Sequence, residues 1–116
     1  MDESILVSIK KMLGIDESYT HFDADIIMNI NSVFMILNQL GVGPSKPFMI
    51  TGEDEEWSDF IEEGYIEAVK TYIFLRVKVI FDPPTSSFVL DAYNKRIDEL
   101  EWRMNVIVEN DKEENS

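Results

Sequence analysis

The residues with the types and spacing best suited to chemistry are three glutamates near the middle of the chain. Glu62, Glu63 and Glu67 lie at the start of a strongly apolar stretch, and the four-residue step from Glu63 to Glu67 puts both carboxylates on one face of a helix. With Asp91 or Asp98 they could hold Mg²⁺, the arrangement an all-α nucleotide pyrophosphohydrolase would need. The alternative is that acids at a helix start complement the macrodipole in water, and no second paired-carboxylate motif faces these three. The single histidine, His21, sits in a loop beside no Gly-x-Ser-x-Gly elbow, so a nucleophile and base are not paired. Gly41, Gly43 and Gly52 flank prolines with no P-loop lysine after them. The absence of cysteine excludes disulfides, thiolate zinc sites and a thiol nucleophile. These patterns supply neither a catalytic set nor a cofactor or metal site, and the chain reads as a non-enzyme.

The elements that would carry these residues are helical. Ile5, Ile9 and Leu13 share a face of a first helix over about Ser4 to Leu13, with Asp2 and Glu3 at its positive end and Gly14 as terminator. Asp23 is the expected N-cap of a second helix, with Phe22 and Ile27 placed to staple across it. In that helix Ile26, Ile30, Val33, Leu37 and Leu40 form a stripe widened by Ile27 and Phe34, and Gly41 closes it. Met28, Met35 and Ile36 interrupt the polar side; they form either a second contact face or packing against the first helix.

From Val42 to Glu56 the chain carries Gly43, Pro44, Pro47 and Gly52, a long connection that either has structure of its own or a function. Phe48 to Thr51 could be a short strand paired with another chain, or an ordered loop that seals the core with Phe48 and Ile50. A short helix ending at Glu63 and a break at Gly64 precede the most apolar segment, Tyr65 to Phe81. That segment is apolar on most sides, as a central helix should be, and Pro83 and Pro84 end it. Thr85, Ser86 and Ser87 offer caps for a last helix to about Glu109. Tyr93, Ile97, Leu100, Met104 and Ile107 repeat there at four-three-four-three, leaving Trp102 off the stripe.

At 116 residues, with 45% apolar and 28% charged, the chain suits one folded domain. The segment Tyr65 to Phe81 contains Glu67, Lys70, Arg76 and Lys78, so it does not meet the roughly 18 uncharged apolar residues of a membrane span. The acidic N-terminus resembles no secretory signal, which predicts a cytoplasmic protein. A net charge of −13 opposes non-specific binding to nucleic acid, since that affinity depends on cations displacing counterions from phosphates. The acids cluster: Glu53 to Glu67 holds eight and no base, and Glu109 to Ser116 has no apolar residue. Residues 1–108 therefore form the expected helical domain and 109–116 an acidic, flexible tail.

Five pieces in this order, ILVSIKKMLGI, FDADIIMNINSVFMILNQLGVGP, WSDFI, EAVKTYIFLRVKVIFDPPTSSFVLDA and IDELEWRMN, resemble the phage head-to-tail connector proteins of long-tailed phages and prophages of Gram-positive bacteria. The resemblance reaches about Asn105; its most specific part is FDPPTSSFVLDA followed by LEWR. It implies an all-α bundle of four to five helices around the long central loop. It also implies a homo-oligomeric ring docked beneath the portal protein in the virion neck, assembled in the host cytoplasm. Such a ring extends the channel through which DNA passes without specific binding and receives the next neck or tail-completion protein. The family has no catalytic positions to carry over. Residues off the core stripes point to subunit contacts at Pro44, Phe48, Ile50 and Trp57 around the loop and Trp102 on the last helix. Two other readings remain: an acidic mimic of DNA that occupies a DNA-binding protein, and the Mg²⁺-dependent pyrophosphohydrolase.

Overall fold

The computed structural model describes residues 3–61 and 66–114. Five helices follow in order: α1 Ile5–Leu13, α2 Asp23–Gln39, α3 Trp57–Phe60, α4 Ile66–Phe81 and α5 Ser87–Glu114. The all-α expectation holds. Helix α4 is the centre, packed by α1, α2 and α5. It buries Val69, Tyr72, Ile73, Leu75 and Val77, with Phe74 and Val79 half-buried against the same core. The long dimension of 46 Å follows from α5, whose 28 residues span about 42 Å at 1.5 Å per residue.

Local chemistry sets most helix ends. The Ser4 hydroxyl accepts from Val7 N at 3.3 Å, and Gly14 takes the left-handed conformation (φ 81°) that closes α1. Ser86 is the hydroxyl that caps α5, accepting from Val89 N at 3.4 Å. The start of α2 departs from expectation. Asp23 lies inside the helix rather than capping it, Phe22 occupies the cap position, and no side chain caps that end. The Asp23 carboxylate is drawn instead to Lys10 Nζ, 2.9 Å away. The Phe22 ring packs edge-on to Phe81 at 5.4 Å.

Phe48 to Thr51 is not a strand: among the described residues the one β-bridge joins Ser4 to Glu56. The Asn31 side chain meets both backbone groups of Ile50, donating to its carbonyl at 3.0 Å and accepting from its N–H at 2.8 Å. One amide thus replaces the ladder a strand would supply. Asn38 donates to the carbonyls of Pro44 and Ser45, and the Glu55 carboxylate accepts from Thr51 and Gly52. Gly43, at φ 87°, lies against the Phe60 ring, where any Cβ would collide. The connection is an ordered lid over the core, with Ile50 buried and Phe48 packed on Phe34 and Phe60.

The short helix is α3, four residues long, started by a capping box between Glu56 and Asp59. The expected break at Gly64 lies outside the described residues. In α5 the buried set is Ile97, Leu100, Met104 and Val108, so Val108 replaces the expected Ile107. A straight helix turns about 100° per residue, which leaves Val108 about 20° from Ile97 and Ile107 about 80° away. The helix also runs five residues beyond Glu109, through a sequence that holds no Gly or Pro to stop it.

Candidate assembly surfaces

Two polar clusters hold the framework that presents the outer faces. Between α4 and α5, Tyr72 Oη donates to Glu101 Oε2 at 2.6 Å, while Arg76 donates from Nε to Tyr72 Oη at 2.7 Å and from its terminal nitrogen to Glu101 at 2.5 Å. Partial burial works to raise the Glu101 pKa, but the bonds from Tyr72 and Arg76 outweigh it and hold the carboxyl below its ordinary value. Burial and the Glu101 carboxylate together push the Tyr72 phenol well above its usual range. The second cluster surrounds Lys10, whose side chain is fully buried. Its ammonium donates to the carbonyls of Glu17 (3.0 Å) and Tyr19 (2.8 Å) and forms an ion pair with Asp23. Its directed hydrogen bonds go to the carbonyls, so the Asp23 contact is chiefly electrostatic. Lys10 thereby ties the loop between α1 and α2 to both helices.

Several apolar surfaces lie outside this core among the described residues, including a groove between α1 and the end of α4 lined by Leu13, Ile15, Phe22 and Phe81; two others carry the most exposed side chains. On α2, Met28 and Met35 are 62% and 57% exposed, and Met49 from the lid (60%) joins them. With Ala24, Ile27, Asn31 and Ser32 they line an open groove of about 370 Å³. Of the methionine-face pair of readings, Met28 and Met35 face outward, whereas Ile36 packs against the core. On α5, Phe88 is 84% and Trp102 67% exposed. Fourteen residues apart, they fall on one stripe roughly opposite Ile97, Leu100 and Met104. Lys95 lies midway on that stripe, exposed, and forms no ion pair among the described residues.

The residues singled out in the sequence fall into two groups. Trp57 is buried, its indole Nε1 donating to Ser8 Oγ at 3.0 Å, and Ile50 is buried beneath Asn31; neither presents surface to another chain in this conformation. Phe48 is half-buried within its own aromatic cluster. Pro44 on the lid and Trp102 on α5 are exposed. Phe88 and Met49 were not singled out, although the heptad step from Phe88 through Lys95 to Trp102 is a readable signal. Lys10, Asn31 and Glu101 carry no motif at all.

Of the acids that could hold Mg²⁺, Glu62 and Glu63 lie outside the described residues. Glu67, Asp91 and Asp98 are exposed, and among the described residues no three acids or histidines gather into a cation site. His21 is exposed and forms a three-ring cluster with Tyr19 and Phe22, tilted to the first at 6.0 Å and edge-on to the second at 4.8 Å.

The framework is helical, centred on one buried helix, and carries apolar faces turned outward. A family model described as phage connector protein matches residues 5–111, nearly the whole chain. The protein belongs to this family, which supports a head-to-tail connector role and a place in the virion neck. No curated protein and no solved structure matches the chain. No helix among the described residues is long and apolar enough to cross a membrane.

Proposed function

We propose that the protein is a structural, non-enzymatic subunit of a phage neck, forming a homo-oligomeric ring beneath the portal that extends the DNA channel and joins head to tail. The family match over residues 5–111 carries this reading. Two physical features support it. A net charge of −13 disfavours adhesion of DNA moving through a channel. Apolar side chains left outside the core, Trp102 and the α2 methionines among them, suit burial against other subunits. Pro44 on the lid is a further candidate contact. The neighbours in the assembly would be the portal above and the next neck or tail-completion protein below, with the acidic end of α5 available to contact either.

The test is molar mass by light scattering over a concentration series, first of the protein alone and then with a candidate portal ring. A ring-sized particle, or saturable binding to the portal, is the expected result. A monomer that ignores the portal at high concentration would overturn the connector reading and favour a mimic of DNA.

A further inference from the structure

Three of the chain's six methionines stand at one place. Met28 and Met35 are seven residues apart on α2, two turns that return to within about 20° of the same direction. Met49 reaches them from the lid, because Asn31 holds both backbone groups of the next residue, Ile50. All three line the α2 groove with more than half of their surface exposed, and none belongs to the hydrophobic core or packs against it. Met104 and Met12 are placed differently. Met104 is fully buried in the α5 seam, and Met12, on α1 and 42% exposed, does not line the groove.

In a chain without cysteine, no thiol competes with thioether sulfur for an oxidant, and exposure decides which sulfur is reached. The reaction with hydrogen peroxide balances simply. A sulfur lone pair attacks one peroxide oxygen, the O–O bond breaks, sulfur is oxidised to the sulfoxide, and the departing oxygen takes up a proton and leaves as water. A flexible apolar side chain thereby becomes a polar, chiral one. Inside a core that change is disruptive. In the α2 groove it alters the lining and leaves the packing beneath it untouched. It is also reversible, because sulfoxide reductases, one for each epimer, return the thioether.

We propose that Met28, Met35 and Met49 form a reversible oxidation site, at which a peroxide converts the α2 groove from an apolar to a polar surface with the fold intact. The site belongs to the free chain, whose groove is open to water, so it stands or falls apart from the connector reading.

The test treats the full-length protein with hydrogen peroxide and follows sulfoxide at each methionine by peptide mass spectrometry. Far-UV circular dichroism and the fluorescence of a neutral, polarity-sensitive dye are recorded in the same samples. Met28, Met35 and Met49 should each oxidise at least about tenfold faster than buried Met104, with the helical signal unchanged. Dye fluorescence should fall as the three sulfoxides form and return when both reductases are added. The triple variant Met28→Leu, Met35→Leu, Met49→Leu keeps the groove apolar and removes its sulfurs. It should hold its fluorescence in peroxide even though Met12 still oxidises. Oxidation of Met104 as fast as the groove methionines, or loss of helix along with dye binding, overturns the proposal. So does fluorescence that is low from the start, unchanged by oxidation or not restored by the reductases, and so does an equal fall in the triple variant.

Discussion

Lys10 is the residue whose environment is least like that of a free side chain. Its ammonium is sealed from water and held by two carbonyls and the Asp23 carboxylate, so the charge is compensated only while all three remain in place. Lys10→Met keeps the length and removes the donors. It leaves two carbonyls and a largely covered carboxylate without their cation. We expect a loss of about 3 kcal/mol, near the low end for breaking a buried pair because Asp23 keeps some exposure. Urea denaturation measures this directly, and a change under about 0.5 kcal/mol would mean that water replaces the ammonium. From sequence Lys10 is an ordinary lysine on the back of an amphipathic helix. Its partners Glu17 and Tyr19 act through backbone carbonyls, which carry no side-chain signature.

At the level of elements, α5 is joined to the rest mainly through α4, by an apolar seam and by the Tyr72, Arg76 and Glu101 cluster. Because the folded Glu101 pKa lies below its ordinary value of 4.5, the cluster's contribution is fully present above that value and is lost as the pH falls through the lower, folded pKa. Glu101→Gln should therefore cost about 1 kcal/mol at neutral pH, a figure reduced by the partial exposure of both charged partners. The wild-type advantage should shrink below about pH 4.5 and vanish in stronger acid, as read from denaturation midpoints across pH. A constant difference down to pH 3 would show that packing, not ionisation, is what the substitution removes. The seam itself was legible in the four-three spacing. Its last member was not, because the choice between Ile107 and Val108 depends on whether the helix supercoils or runs straight.

For the whole molecule, the net charge of −13 opposes compactness, and the acid-rich lid segment adds local repulsion. Surface ion pairs such as Arg96 with Glu99 are exposed, that of Lys78 with Asp82 is partly so, and each is individually weak. Screening should therefore relieve more repulsion than attraction. Raising NaCl from about 0.02 to about 0.2 M should raise the Tm by a few degrees, since the Debye length falls from some 20 Å to under 8 Å. A falling Tm in a calorimetric scan would mean that attractive pairs dominate the molecule's field.

What the sequence by itself determined is what repeats or punctuates. The helix order came from apolar spacing, the ends from Gly14, Gly41 and the prolines after Phe81, and the family from five pieces in order, matched over residues 5–111. These signals are local, since a cap or a stripe is decided within a few turns of backbone. Tertiary structure alone decided which side chains leave the surface. Trp57 and Ile50, as apolar as Trp102 and Met35, are buried because the lid folds over α2 and places them against Ser8 and Asn31. The same fold leaves Met28, Met35, Phe88 and Trp102 on helices whose opposite faces already fill the core. Burial is a property of the packed whole, and the outer faces become visible only once the inner ones are occupied.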